Sequence, residues 1–142
     1  MLCHLVYVST ATRPMRDPDL AELLSQARER NQRNSVTGML LYKDGRFIQL
    51  LEGHEDDVRK IFDSIRQDER HRDVELLWFR YVQFRDFPDW TMGFRNADEL
   101  DPTTLRGYTP YLERDLRYEN FLENSTEVHQ LLLAFKQDPA AF

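Results

Sequence analysis

The chain has 142 residues, 41% of them hydrophobic and 31% charged, which fits one domain with a substantial apolar core. Its formal net charge of -6 argues against nucleic acid as the main partner, because phosphate binding requires a clustered positive field. The chain has no apolar run near the roughly 18 residues that a membrane-spanning helix needs. A single cysteine, Cys3, and an N-terminus without a signal-peptide layout predict a cytoplasmic protein without membrane contact.

The sequence also lacks the usual motifs for metal ions and nucleotide phosphates. Its four histidines show no metal-ligand spacing with cysteine or acid; they are His4, His54, His71 and His129. None of its five glycines belongs to a GxGxxG or GxxxxGK loop. We therefore predict no metal site and no glycine-rich phosphate loop.

The N-terminal part of the chain predicts a strand followed by a helix. Residues 2–9 contain consecutive strand formers, and Asp17 followed by Pro18 is typical of a helix start with Asp17 as the N-cap. An apolar stripe with the helical spacing i, i+3, i+4, i+7 comes next, formed by Leu20, Leu23, Leu24 and Ala27. The helix is predicted to end between Asn31 and Asn34.

A β-hairpin is predicted in the middle of the chain. Residues 36–42 and 47–52 are strand candidates, and the Asp44-Gly45 pair between them favours a two-residue hairpin turn. Gly53 is predicted to break the second of these strands, because glycine weakens a strand interior.

The next segment predicts a helix and two more strands. Acidic residues from Glu55 onward favour a helix start, and its buried stripe is Val58, Ile61, Phe62 and Ile65. Residues 74–84 are a long strand candidate, and residues 90–94 are a short last strand. The order β-α-β-β-α-β-β predicts an α+β, ferredoxin-like fold, with a mixed sheet and two helices on one face.

Residues 97–142 differ in character from the preceding segment. Pro102, Gly107 and Pro110 punctuate a connection, and two helical apolar stripes follow. We predict a C-terminal helical extension. Its apolar faces must cover the open face of the sheet, another subunit, or both.

Gln49 is the least expected residue of the predicted sheet. It lies in Phe47-Ile48-Gln49-Leu50-Leu51, an otherwise apolar run that is typical of a strand buried on both faces. An unpaired buried amide costs about 1–3 kcal/mol, so this one should have matching partners. The simplest explanation is a core glutamine bonded to nearby backbone, which is common in proteins. The alternative is a glutamine that serves a ligand.

A ferredoxin-like topology alone does not define a function. An RNA-recognition module of similar order would need exposed aromatic and basic residues on its sheet, and the acidic balance disfavours that. An acylphosphatase-like enzyme would need a phosphate-cradling loop after the first strand. Arg13 and Arg16 are available there, but the glycines of such a loop are missing.

Six motifs in order and at matching spacing resemble one known family. They are Tyr7, Asn31, Thr37-Gly38-Met39-Leu40, Gln49 with Leu51-Glu52-Gly53, Asp68-Glu69-Arg70-His71, and Phe87-Pro88-Asp89-Trp90-Thr91-Met92. Together they are similar to the BLUF family of blue-light sensors, which bind FAD. The resemblance covers residues 1–96. It implies a flavin-binding photosensor domain there, and leaves residues 97–142 as a helical output and oligomerisation segment.

The resemblance implies a photoactive switch around the unusual glutamine. Tyr7 matches the tyrosine that bonds the glutamine and gives an electron to the excited flavin. Gln49 matches the glutamine that bridges this tyrosine to the flavin and changes its hydrogen bonds after illumination. Trp90 and Met92 match the two residues of the last strand that respond to that change.

The resemblance also implies the remaining flavin contacts. Asn31 matches the asparagine that bonds the polar edge of the ring, and Asp68, Arg70 and His71 match a stretch near the ring edge and the ribityl chain. Many relatives carry asparagine or histidine where this chain has Arg30. FAD is the expected cofactor, with FMN as the alternative.

The implied protein is a light switch and not an enzyme. Its last strand leads into the C-terminal helices, so the signal is expected to reach a downstream partner protein, with a homo-oligomer as the expected assembly. Two other classes remain open from the sequence. One is an interaction module of the same fold that acts without light, and the other is a ferredoxin-like small-molecule enzyme.

Overall fold

The computed structural model describes residues 1–86, 93–96 and 138, and for residues 93–96 it describes the backbone. Seven elements follow in chain order: β1 (Leu2–Ala11), α1 (Asp17–Arg33), β2 (Thr37–Lys43), β3 (Arg46–His54), α2 (Glu55–Gln67), β4 (His71–Tyr81) and β5 (Gly93–Asn96). This is the predicted order of strands and helices.

All five strands form one sheet in the order β4-β1-β3-β2-β5. The first four strands of this order pair antiparallel, whereas β5 pairs with β2 in parallel. The sheet is therefore mixed, and the predicted α+β, ferredoxin-like class is confirmed. The strand β3, which carries Gln49, lies at the centre of the sheet between β1 and β2.

The two helices pack on the same face of the sheet, which we call the front face. Alternate side chains of β1, β2 and β3 form one core with the apolar stripes of both helices. Its members include Leu5, Tyr7, Leu20, Leu24, Leu40, Phe47, Leu51, Val58, Ile61 and Ile65. The intervening residues point to the rear face, and they too are buried: Val6, Val8, Met39, Leu41, Ile48 and Leu50. Both faces of the central strands are thus apolar, as the sequence around Gln49 indicated.

The β2–β3 hairpin has the predicted turn. Asp44 and Gly45 both have positive φ, at 52° and 77°, as a two-residue turn of the I′ type requires. This turn sets the register that pairs Leu40 with Gln49 across the hairpin.

Gly53 does not break β3, contrary to the prediction. The strand continues to His54, and a Cβ atom at Gly53 would lie 3.1 Å from Val36 Cγ2 and 3.4 Å from the main-chain oxygen of Ser35. The glycine thus permits close packing of the strand against the segment before β2.

The bounds of β4 and the cap of α1 also differ from the predictions. β4 begins at His71 and not at Val74, because β1 extends to Ala11 and pairs with it there. The N-cap of α1 is Arg16, whose backbone N–H donates to Asp19 Oδ2 at 3.0 Å, so the acceptor comes from inside the first turn and not from Asp17.

The predicted C-terminal helices lie outside the described residues. So do Trp90 and Met92, which precede β5. Within the described part of the chain, neither helix is both long enough and apolar enough to cross a bilayer.

Candidate functional site

The buried amide of Gln49 has a side-chain partner on the neighbouring strand. Tyr7 and Gln49 lie directly opposite each other in the β1–β3 ladder and are 0% and 3% exposed. The hydroxyl of Tyr7 donates a hydrogen bond to Gln49 Oε1. The two N–H donors of this amide are on Nε2, the other terminal atom of the Gln49 side chain. The buried amide of Gln49 is thus stabilised by the hydroxyl of Tyr7, so hydrogen bonds to the backbone are not its whole environment.

Tyr7 is fixed in its protonated form. Burial raises the pKa of this phenol far above its usual range, and Asp68 raises it further, while Arg30 acts in the opposite direction. At neutral pH Tyr7 is therefore a neutral donor to Gln49. Its ring also packs against Phe62 of α2, at 5.5 Å between centroids.

A cavity of about 240 Å³ lies on the front face directly over this pair. Its floor is formed by Tyr7, Gln49 and Leu40 of three adjacent strands. One wall comes from α1, including Leu23, Ala27 and Arg30, and Ile65 of α2 also lines the cavity. The opening is thus framed by both helices and by the sheet beneath them.

The connection between α2 and β4 supplies the charged end of the cavity. Asp68 and Arg70, both lining residues, form a forked ion pair, with Arg70 Nη2 2.6 Å from Asp68 Oδ2 and Nε 3.0 Å from Oδ1. The hydrogen bonds from Arg70 lower the pKa of Asp68, and Asp68 in turn raises the pKa of Arg70. The ion pair therefore braces this short turn, which gives the cavity a charged rim.

His71 lines the cavity as the first residue of β4. Its Nδ1 atom is 2.8 Å from the hydroxyl oxygen of Ser9, which is fully buried on β1. Burial lowers the pKa of His71 to about 4, so the ring is neutral at physiological pH. The ring lies between Phe47, at 4.8 Å, and Tyr7, at 6.3 Å between centroids.

Ser9 is a site residue that the sequence analysis missed. The available signal was its spacing, two residues after Tyr7 on a strand, which places both side chains on the same face.

Asn31 is buried at 0% exposure but does not line the cavity. It lies within α1, which ends at Arg33, and its main-chain oxygen accepts hydrogen bonds from the N–H groups of Asn34 and Val36. The adjacent Arg30 does line the cavity, and its Nε is 3.5 Å from Asn31 Oδ1. Burial lowers the pKa of Arg30, which Tyr7 and Asp68 partly offset. Of the two neighbouring residues Arg30 and Asn31, it is thus Arg30 that lines the cavity.

Five of the predicted site residues surround one cavity: Tyr7, Gln49, Asp68, Arg70 and His71. They come from three separate parts of the chain: β1, β3, and the turn that leads into β4 with that strand's first residue. Apolar side chains of Leu23, Leu40 and Ile65 line the same space. A cavity that combines this apolar wall with polar and charged groups converging from the other sides fits a flat ring with a polar edge, which is the shape of a flavin.

The chain matches the family model described as "BLUF: Sensors of blue-light using FAD" over residues 2–93. This match covers well over half of the sequence, and the chain belongs to the BLUF family. The resemblance inferred from the six motifs is thereby confirmed. Flavin-dependent sensing of blue light is the property that defines the family.

Among known proteins, the chain is 44% identical over 100 residues to the photoactivated adenylate cyclase subunit beta of Euglena longa. That match covers 70% of this chain but 12% of the relative, so the chain spans a small part of the curated relative's length. The solved structure of Klebsiella pneumoniae BlrP1 with FMN and cyclic diGMP has a TM-score of 0.77 at 32% identity, over 98% of this chain and 35% of BlrP1.

The dark-state structure of the BLUF protein BlrB has a similar size. Its TM-score is 0.68 at 31% identity, and the match covers 94% of this chain and 96% of BlrB. The fold is thus shared both with a short protein and with one region of longer proteins.

Proposed function

We propose that this chain is a blue-light photoreceptor that binds its flavin in the cavity over Tyr7 and Gln49. The observation that carries the proposal is the buried hydrogen bond from the Tyr7 hydroxyl to Gln49 Oε1 at the cavity floor. A bound flavin supplies absorption of blue light and, when excited, an electron acceptor.

Tyr7 is the proposed electron and proton donor. Its raised pKa keeps the proton on the phenol at rest, and its hydrogen bond gives that proton a direct path to Gln49 Oε1. A proton that arrives and later returns leaves the amide of Gln49 free to settle in a rotated or tautomeric arrangement. Two hydrogen-bond arrangements that differ by a few kcal/mol are enough to bias a neighbouring element.

The polar rim orients the ligand in this proposal. Arg30, Asp68, Arg70 and the neutral ring of His71 surround the same space, where they offer donors and acceptors to the polar parts of a flavin. Asn31, from its buried place behind Arg30, is proposed to reach the ring edge only after Arg30 moves aside. FAD is the proposed cofactor, as in the description of the family, and FMN is the alternative because a BlrP1 structure holds it.

The light signal is proposed to leave the sensor domain through β5, the last strand of the sheet. Residues 1–96 form the sensor, and the segment 97–142 is proposed to carry the change from Trp90 and Met92 to a partner protein or a second copy of the chain. The sheet supports this route, since β5 pairs with β2, the strand next to the one that carries Gln49.

An absorption spectrum of the purified protein, first in the dark and then under blue light, tests the proposal. We expect a yellow protein whose flavin band shifts reversibly to longer wavelength by a small amount. Acid release and chromatography of the chromophore then distinguish FAD from FMN. A colourless protein from flavin-rich cells, or a bound flavin whose spectrum does not respond to light, would contradict the proposed function.

A further inference from the structure

The rear face of the sheet carries a cluster of buried and half-buried polar groups, which we call the rear cluster. Its members are His4 of β1, Thr37 of β2, Glu52 of β3, and Arg85 and Asp86 after β4. Glu52 has 0% exposure and His4 has 5%. A carboxylate removed from water to this extent is stable only when several groups bond it, because burying an unpaired charge is very unfavourable.

Glu52 accepts two hydrogen bonds and has a close contact with His4. The hydroxyl of Thr37 donates to its Oε1 at 3.0 Å, and the backbone N–H of Asp86 donates to its Oε2 at 2.5 Å. His4 Nε2 lies 2.8 Å from the same Oε2. The carboxylate therefore joins β1, β2 and β3 to the chain that follows β4.

Arg85 ties the same chain segment to three further groups. Its guanidinium donates to Thr37 Oγ1 at 2.9 Å, to the main-chain oxygen of Glu52 at 3.0 Å, and to the main-chain oxygen of Ser35 at 2.8 Å. Ser35 lies in the connection between α1 and β2, the helix and strand that border the cavity. Residues 85 and 86 are thus fastened at several points to the part of the sheet that carries the candidate site.

The rear cluster is held together by hydrogen bonds among its own side chains and backbone groups. The two ring nitrogens of His4 face different carboxylates, with Nε2 near Glu52 and Nδ1 3.8 Å from Asp86 Oδ2. One ligand atom each of His4, Glu52 and Asp86 lies within 4.8 Å of the others. Glu52 also accepts from the Thr37 hydroxyl and the Asp86 amide, contacts that an ion would have to displace.

The rear cluster and the Tyr7–Gln49 pair belong to the same two strands. In the antiparallel β1–β3 ladder, His4 pairs with Glu52 and Tyr7 pairs with Gln49, so the two pairs are three residues apart on each strand and lie on opposite faces. Any small shift of β3 against β1 changes both pairs together. Asp86 immediately precedes residues 87–92, which contain Trp90 and Met92.

From this geometry we propose that the rear cluster couples the cavity to the segment that leads into β5. Glu52 is a positioning residue in this role: it holds Asp86, the residue before this segment, against the strands that carry Tyr7 and Gln49. The light-dependent part of the inference rests on the proposed function. The fastening of residues 85–86 does not depend on light.

Hydrogen–deuterium exchange of the full chain, measured in the dark and under blue light, tests the coupling. The variant is Glu52→Gln, which keeps the size of the side chain but replaces one acceptor oxygen by a donor that faces the Asp86 amide or the Thr37 hydroxyl. In the dark we expect exchange in residues 85–96 to accelerate on the order of tenfold, because bonds to a buried charge are lost. The matched control is Glu75→Gln, at an exposed position of β4.

Under illumination the wild-type chain should show a light-dependent change in exchange over residues 87–96. In Glu52→Gln we expect that change to disappear while the spectral shift of the flavin persists. Wild-type exchange in Glu52→Gln, both in the dark and in the light, would overturn the inference. Absence of a spectral shift in the wild-type protein would refute the proposed function. The exchange rates of the wild type and Glu52→Gln in the dark would still show whether Glu52 holds residues 85–86 in place. If Glu52→Gln does not fold, Thr37→Val removes a single hydroxyl of the cluster and takes its place in both measurements.

Discussion

The hydroxyl oxygen of Ser9 lies 2.8 Å from Nδ1 of His71, and this contact joins β1 to the first residue of β4 at the wall of the cavity. A hydroxyl that donates to Nδ1 places the ring proton on Nε2, whereas a hydroxyl that accepts leaves Nε2 as an acceptor. Ser9 thereby sets which chemistry His71 offers to a ligand. This role requires no contact between Ser9 and the ligand itself.

Replacing Ser9 by alanine should loosen His71. We expect Ser9→Ala to lower the free energy of unfolding by about 1–3 kcal/mol, because a buried ring nitrogen loses its partner. We also expect the dark absorption band of the bound flavin to shift slightly. Urea unfolding and an absorption spectrum provide the two measurements. The control is Ser25→Ala on the exposed face of α1, which should leave both quantities unchanged.

Replacing Tyr7 by phenylalanine should abolish switching but leave flavin bound. The hydroxyl of Tyr7 is the donor to Gln49 Oε1, and phenylalanine keeps the ring that packs on Phe62. We expect flavin content similar to that of the wild type and no reversible red shift under blue light. Tyr81→Phe, at an exposed tyrosine that contacts Glu55, is the matched control and should switch normally. A normal photocycle in Tyr7→Phe would rule out the role given to this residue.

The free energy of unfolding should fall as the pH is lowered from 6.5 to about 4, the range over which His71 is protonated more readily in the unfolded chain. Burial lowers the pKa of this histidine from 6.5 to about 4 in the folded state. Between these values the unfolded chain binds more protons than the folded one, so acid favours unfolding. The full shift corresponds to about 3 kcal/mol of stability that is present above pH 6.5 and lost by about pH 4.

Urea unfolding of the wild type and of His71→Gln at a series of pH values measures this contribution. The carboxylates titrate in both proteins, so the difference between the two curves isolates the histidine. We expect the wild type to lose more stability than the variant between neutral pH and pH 4. Parallel curves would show that His71 titrates alike in the folded and unfolded chains.

Cys3 should be unreactive in the folded protein. It is fully buried on β1, and burial raises its thiol pKa to about 11, so the reactive thiolate is scarce at pH 8. We expect a thiol reagent to label the chain only after denaturant is added, in parallel with loss of helical circular dichroism. Rapid labelling without denaturant would mean that the end of β1 near Met1 opens easily.

The parts of the fold that short-range chemistry dictates were predictable from sequence. The Asp44-Gly45 turn has both residues in the left-handed region that its type requires, and α2 begins at Glu55 as its acidic first turn indicated. Gln49 was recognisable because an amide in an apolar strand needs a partner, and the structure supplies Tyr7.

Features that depend on pairing between distant segments were not predictable. The start of β4 at His71 is set by the length of β1, which local strand propensity does not reveal. Gly53 lies inside a strand because of its neighbour Val36, seventeen positions earlier in the chain. The rear cluster likewise brings together residues from four parts of the chain, and the motifs that contain Thr37 and Glu52 do not reveal that these two side chains meet.

The support beneath Gln49 has a consequence for the size of the light response. β3 is bonded by backbone ladders to β1 on one flank and to β2 on the other, so its main chain at Gln49 has little freedom. We therefore expect the first movement after a flash to consist of side-chain torsions that precede any shift of the strands. Motion on that scale is compatible with lattice packing, and crystals grown in darkness should change colour when lit and return without cracking.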